Sequence, residues 1–375
     1  MSGKNKKPNT RRGVLICGAY GHGNAGDEAI LEAIVREMRA IDPDMPITVL
    51  SRTPEETAAR NGVQALHTFA FARFLRVMRR AKLFINGGGS LIQDVTSSKS
   101  LWYYLFTIRA AKLLGCRVLM YGCGIGPVTR AFDRRLTRRV LNGNVDVITL
   151  REENSLGELR AFGVTAPEII LASDPALTLP AAPPEAADEA LRALGVEPGT
   201  KCIGVCVRHW PGFLEKTPAF AAALRHAWET YGLTPVFLSI DHRSDGEAAE
   251  RLCEKLAQDV PRFILREPMP TALTVAILSK MEIVLSMRLH GLIFAAGNGV
   301  PLAGVSYDPK VTAFLDYAGQ KNHLPLDRAD AERLCALVDA AAALRGDRAA
   351  LAARAAELRE KENQNTQAAR RLLES

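Results

Sequence analysis

The sequence predicts an α/β protein built from two Rossmann-like domains that face each other across a cleft. Three observations predict it. Short apolar runs of strand length alternate with amphipathic helical stretches, the pattern of parallel sheets covered by helices on both faces. The alternation breaks over residues 177–188 (LTLPAAPPEAAD), which read as a linker, and then restarts. A length of 375 residues exceeds one ordinary core and suits two.

In the first domain, placed over residues 12–180, strand-like runs begin at Gly13 (GVLICG), Pro46 (PITVL), Val63 (VQALH), Lys82 (KLFIN), Arg117 (RVLMYG), Val145 (VDVITL) and Glu168 (EIILA). Helical patterns lie between most of them. From Asp27 to Met38, Ile30, Leu31, Ile34, Val35 and Met38 share one face. In the second domain, placed over residues 185–345, runs begin at Lys201 (KCIGVCV), Thr234 (TPVFLSI), Arg262 (RFIL), Glu282 (EIVLS) and Pro301 (PLAGVS). A long terminal helix over about 347–375 is expected to pack back on the first domain.

Composition narrows the function classes. The basic N-terminus, MSGKNKKPNTRR, reads as a short disordered tail, and the apolar stretch after it is too short for a signal sequence. No apolar run approaches the roughly 18 residues that span a bilayer, so a cytoplasmic protein is expected. The seven cysteines are scattered without a CxxC pair and read as reduced core thiols; no metal site is expected. Net charge is +7, from 48 basic and 41 acidic residues, which favours anionic partners. Aromatics, at 6%, are not interleaved with basic residues along the chain, so nucleic acid is not an expected partner.

Ligands of open parallel sheets sit at the carboxyl ends of strands. The residues there are Gly87-Gly88-Gly89-Ser90, the GCGIGP run at 122–127, Arg151, Arg208, Arg288 with His290, and Lys310. Arg288 offers a bidentate fork for phosphate or carboxylate beside a helix N-terminus, and His290 can exchange a proton near neutral pH. The three glycines before Ser90 read as a tight turn whose backbone approaches a ligand closely. Gly21, Gly23 and Gly26 match G-x-G-x-x-G, but the match starts too far beyond the strand. Asp27 and Glu28 then occupy the helix N-terminus that a pyrophosphate would need. Asp27 reads equally as a helix cap or as an acceptor of sugar hydroxyls, near Asn24. In Phe71–Lys82, apolar Phe71, Phe74, Leu75 and Met78 share a face opposite Arg73, Arg76 and Arg80, and residues 130–139 carry five arginines. Such basic helices rest on anionic membranes or are simply solvated.

Together these motifs resemble the polysaccharide pyruvyl transferase family, of the CsaB type. The resemblance rests on GAYGHGNAGDEAIL at 18–31, GGGSLIQD at 87–94, GCGIGP at 122–127, REENS at 151–155, SDPAL at 173–177, MRLHGLIFA at 287–295 and YDPK at 307–310. It implies a GT-B-like glycosyltransferase layout and a ketal-forming transferase. It implies phosphoenolpyruvate as donor substrate, with no cofactor, and a sugar acceptor of a cell-wall polysaccharide or exopolysaccharide. The family's functional positions match Arg151, Arg288, His290 and Lys310. The resemblance also implies a lipid-linked acceptor, hence peripheral contact at the inner membrane face. His290 is then the expected general acid/base. Asn24, Asp27, Gly87, Gly88, Gly89 and Ser90 would serve the acceptor, and Arg208 the bound substrate. Three rivals stay open: a nucleotide-sugar-dependent GT-B glycosyltransferase, an NADP-dependent reductase using the glycine run and Arg52, and a non-catalytic anion-binding regulator.

Overall fold

The computed structural model describes residues 11–375 apart from 96 and 243. The tail read over residues 1–12 lies outside the described residues up to residue 10.

The chain forms two all-parallel sheets. The first contains β1 (Val14–Cys17), β2 (Ile47–Ser51), β3 (Gln64–His67), β4 (Leu83–Ile92), β5 (Arg117–Ile125), β6 (Val147–Leu150) and β7 (Glu168–Leu171). Its order is β3-β2-β1-β4-β5-β6-β7. The second contains β8 (Cys202–Cys206), β9 (Thr234–Leu238), β10 (Phe263–Leu265), β11 (Ile283–Ser286), β12 (Leu302–Ser306) and β13 (His323–Pro325), in the order β10-β9-β8-β11-β12-β13. Each sheet reverses its winding once, between β1 and β4 and between β8 and β11. Those two switch points are where crevices open at the carboxyl ends of parallel strands.

Apolar burial fixes this arrangement. The central strands are buried throughout, because helices cover both faces. The helix Ala25–Ile41 turns Ile30, Leu31, Ile34 and Met38 onto the first sheet. One continuous apolar core joins the inner faces of the two halves, running from Ile16 and Ile34 through Leu292 and Ile293 to Leu372. Separate cores lie under the outer helices of each half. The terminal helix Arg348–Glu374 leaves the second half and lies along β5, β6 and β7. There Asn365 donates to the Ser173 carbonyl, 3.0 Å away, and Arg371 pairs with Glu168 at 2.9 Å.

The structure departs from the sequence reading at four places. The stretch 177–188 is not all linker: Leu177 and Leu179 are buried, and a helix starts at Pro184, where proline's fixed φ suits the first turn. β13 went unread because it is a three-residue edge strand that ends in proline. The Gly87–Ser90 run is not a turn but the continuation of β4, with a register shift between Gly89 and Ile92. Asp27 does not cap its helix; Asn24 does, its Oδ1 accepting from Gly26 N at 2.9 Å.

Candidate active site

The two switch points face each other across a cleft of about 1200 Å³. Its floor is stitched across the halves. Ala25 N donates to the Ile240 carbonyl at 2.8 Å, and Asn24 forms an antiparallel bridge with Asp241. From the first half, Asn24, Asp27, Gly89, Ser90 and Arg151 line the cleft; from the second, Arg208, Arg288, His290 and Lys310 do. Gly87 and Gly88 do not line it. A side chain on Gly87 would strike Ile34 and the Tyr20 hydroxyl, and one on Gly88 would strike Ile30. Their small size clears a bed for the helix Ala25–Ile41, and the Gly87 carbonyl accepts from Tyr20 Oη at 2.9 Å.

β11 delivers the second half's contribution. It ends at Ser286, whose hydroxyl accepts from Arg288 N at 2.9 Å and donates to the Arg288 carbonyl at 2.8 Å. This local pair sets Arg288 at the cap of the buried helix Leu289–Gly297, whose first-turn N–H groups and positive end address the cleft. The Arg288 guanidinium, itself buried, meets Asp245 Oδ2 at 3.2 Å and Asp241 Oδ2 at 3.9 Å. Lys310 pairs with Asp308 at 3.1 Å. Arg208 lies just past β8. It donates to Tyr307 Oη at 2.7 Å and lies over the rings of Trp210 and Tyr307 at 4.9 and 4.8 Å. Among the described residues it has no carboxylate partner at ion-pair distance, and its Nε is buried without a hydrogen bond.

Arg151, buried at the end of β6, is held on three sides. It meets Glu152 at 3.0 Å, Asp174 at 2.9 Å and the Ser90 hydroxyl at 3.1 Å. Burial opposes its charge, but Glu152 and Asp174 outweigh burial and hold the guanidinium above its ordinary value. Gly124 leaves the room this fork needs, since a Cβ there would stand 3.0 Å from Nη2.

His290 lies between the halves. Its Nε2 is buried with no hydrogen bond, 3.9 Å from Asp174 Oδ2. Burial, joined by the charges of Arg151, Arg288 and Lys310 and opposed by Asp174, lowers its pKa to about 4. The imidazole is therefore neutral at pH 7 when the cleft is empty. Gly26 lies directly against the ring, and a Cβ there would overlap it. Asp27, half-buried beside Gly89, is pushed up to about 7. Burial and Glu28 raise it, against Arg151, Lys310 and Arg288. Glu28 turns away from the cleft and accepts from Gly21 N at 2.7 Å.

Sequence reasoning missed Asp174, Glu152, Asp245 and Gly26. Asp174 lies just past β7, so the strand-end rule that selected the arginines would have selected it. Gly26 looked like one glycine of a dinucleotide motif, and only the packing shows it as the seat of an imidazole. Among the described residues, no group of three or more His, Cys, Asp or Glu side chains could hold a metal ion. No helix there is long and apolar enough to cross a membrane.

Two Rossmann-like halves, with switch points facing across a charged cleft, define a GT-B fold. Solved structures agree. A glycosyltransferase from Rickettsia africae is 10% identical, with a TM-score of 0.62 over 96% of this chain and 99% of its own. Anabaena HepE in complex with UDP is 11% identical, also at 0.62 over 96% and 99%. The UDP-GlcNAc 2-epimerase from Methanocaldococcus jannaschii is 14% identical, at 0.57 over 87% and 91%. At such identities the likeness is one of fold. No match was found among curated proteins. The polysaccharide pyruvyl transferase family model matches residues 24–309, which include every cleft residue named above except Lys310, the next residue along, and the chain belongs to that family. It is a transferase enzyme.

Proposed function

We propose that this enzyme moves the pyruvyl group of phosphoenolpyruvate onto two hydroxyls of a sugar in a bacterial cell-wall polysaccharide or exopolysaccharide precursor. The product is a ketal, and phosphate is released. One observation carries the reading. The second half presents Arg208, Arg288, Lys310 and a helix N-terminus to one small volume, opposite a carboxyl group that changes charge near neutral pH. A donor with a carboxylate and a phosphate, about three negative charges, suits such a wall.

In the proposed reaction a proton adds to the methylene carbon and leaves an oxocarbenium-like centre at the neighbouring carbon. A sugar hydroxyl attacks that centre and gives up its proton. The carbon–oxygen bond to phosphate breaks with its electron pair on phosphate, and the second hydroxyl closes the ring. Of the two hydroxyl protons, one is balanced by the new methyl group and the other by phosphate. Asp27, whose carboxyl burial pushes up to about 7, is assigned to carry a proton between acceptor and donor. His290 is neutral until the negative charges of the donor raise its proton affinity; it then protonates the methylene carbon. Asn24 and Ser90 face the acceptor.

The test is a thermal-shift comparison of phosphoenolpyruvate, UDP-sugars and NADPH, on the wild type and on Arg208→Ala. A ligand at 100 times its dissociation constant stabilises by about 2.7 kcal/mol. Stabilisation by phosphoenolpyruvate alone, lost in the variant, supports the reading. Stabilisation by a UDP-sugar or NADPH in its place overturns it and leaves the fold.

A further inference from the structure

On the outer face of the first sheet, the helices Phe71–Met78, Ser98–Leu113 and Ala131–Asn144 pack side by side. Large aromatic side chains stand exposed along their seam: Phe69 at 53%, Trp102 at 43%, Phe106 at 44% and Phe132 at 63%. They are packed on one another as well as exposed. The Phe71 ring meets Phe106 at 5.9 Å, and Trp102 meets Phe132 at 6.1 Å, both edge-on. Trp102 is pinned outward because its Nε1 donates to Asp133 at 2.7 Å, while Ser98 donates to the other oxygen of that carboxylate at 2.5 Å.

Charge on these helices is one-sided. Arg73, Arg76, Arg109 and Arg135 are exposed on these helices, and Arg52 lies over Phe69 at 5.0 Å; Arg134 and Arg138, also exposed, lie against Phe162 and Gly163. The only acidic residue on the three helices is Asp133, which is buried under Trp102. A chain of net charge +7 has thus gathered cations, without exposed acidic residues, on the helices that carry this strip of aromatic rings.

We propose that this face docks on an anionic lipid bilayer. Exposed rings flanked by arginines match the two halves of an interface: the rings enter the boundary of head groups and acyl chains, and the guanidiniums meet lipid phosphates. Charge complementarity names the occupant, and ring geometry separates it from nucleic acid. The rings at Trp102–Phe132 and Phe71–Phe106 pack edge-on, and the stacked pair Phe69–Phe71 faces each other with Arg52 over Phe69, so the patch does not offer a row of parallel free faces to bases. The face also borders the cleft. Val95, exposed between β4 and the helix Ser98–Leu113, lines the cleft mouth together with Leu91 and Pro127. A sugar carried on a lipid in the same bilayer would thus reach Asp27 without leaving the membrane surface. That last step rests on the pyruvyl-transfer reading; the docking does not.

Co-sedimentation of the full chain with phosphatidylcholine vesicles, with and without about a third phosphatidylglycerol, tests the docking. Binding is expected to the anionic vesicles only and to weaken as salt rises. The double variant Phe106→Ser/Phe132→Ser, which leaves charge unchanged, should lower vesicle affinity about tenfold or more. Arg109→Glu with Arg135→Glu should lower it by at least about fivefold per arginine. Turnover with a water-soluble acceptor should be unchanged in both, which separates failed docking from failed chemistry, and melting curves confirm their folding. No vesicle binding, or equal binding to neutral vesicles, overturns the proposal. So does full retention in the serine variant, since binding would then be charge alone. Preferential capture by duplex DNA, or a concentration-dependent dimer lost in the serine variant, overturns it in favour of that other occupant.

Discussion

Replacing Gly26 with alanine adds one methyl group at the point where the two halves meet against the His290 ring. Gly26 is helical, so the change itself favours the helix by up to about 1 kcal/mol. Against this, the new Cβ would stand 2.5 Å from His290 Cε1 and nearer still to Nδ1 and Cγ, where ordinary contact begins at 3.4 Å. The ring cannot yield easily. It belongs to a helix whose residues are all buried, and Phe294 packs against it at 6.0 Å. Overpacking of this kind costs about 1–3 kcal/mol, so the net loss of stability should stay near 2 kcal/mol or below. The imidazole, however, must move by more than about 1 Å, and misplacement on that scale costs on the order of a hundredfold in rate. Turnover of phosphoenolpyruvate, measured as phosphate release, should therefore fall at least about a hundredfold while the protein still melts cooperatively. Gly143→Ala, on a helix position with open space around it, is the control and should leave turnover unchanged. If Gly26→Ala kept turnover within about threefold of wild type, the position of His290 would not matter to the chemistry, and its assigned role would fall.

Further predictions concern charge. Arg208→Ala should raise the dissociation constant for phosphoenolpyruvate about 10- to 150-fold, the worth of one charge-assisted contact, and Arg208→Lys should recover only part by losing the stacking on Trp210 and Tyr307; calorimetric titration reads both. Asp27→Asn should remove the limb near pH 7 from the pH profile of kcat/KM, because the group pushed up to about 7 no longer titrates; a variant profile that keeps the limb would acquit Asp27. Glu362, on the buried face of the terminal helix, is raised to about 8, by burial first and by Glu37. Its folded carboxyl keeps a proton that the unfolded chain releases near 4.5, so its stabilising effect is full below 4.5 and is lost as pH rises through 8. Glu362→Gln should thus gain little at pH 5 and up to about 5 kcal/mol above pH 8, checked by urea melts at the two pH values.

Much of this molecule could be read in its sequence, for a definite reason. Strand ends are where parallel sheets hold ligands, and the positions just past the strands include Arg151, Arg208, Arg288, His290 and Lys310, which all line one cleft. The features that escaped depend on distance in space. A glycine run cleared for a ligand and one cleared for a crossing helix have the same letters; Gly87 and Gly88 serve the helix, and Gly89 serves the cleft. Phe132 stands between Arg130 and Arg134 in the chain, but Trp102 and Phe106 come from a different helix, and only helix packing brings the three into one basic, aromatic face. Of the carboxylates that neutralise the arginines, Glu152 is the next residue after Arg151, whereas Asp174, Asp241 and Asp245 come from distant parts of the chain, so only the fold pairs them with Arg151 and Arg288.

Those carboxylates change what the arginines do. Removing one partner of a buried pair leaves the other charged and unsolvated, at about 3–5 kcal/mol, so Arg151 is tied to Glu152 and Asp174 by more than attraction. Asp174 Oδ2, which accepts from Arg151, is also the oxygen nearest His290 Nε2. Arg151 thereby fixes Asp174, and Asp174 faces the imidazole; the arginine acts on His290 through this link and has little charge left for a donor. Arg208 is the opposite case, cationic, oriented by two aromatic rings and without a carboxylate partner. On the pyruvyl-transfer reading, the first contact of an arriving trianion is therefore Arg208. Lys310 can then engage by leaving Asp308, a partly exposed pair that is weak to begin with. Arg288 stays anchored on Asp245 and lends the field of its helix terminus. On that reading binding proceeds from the least paired cation to the most paired, which would let the site hold three negative charges without three unpaired positive ones beforehand.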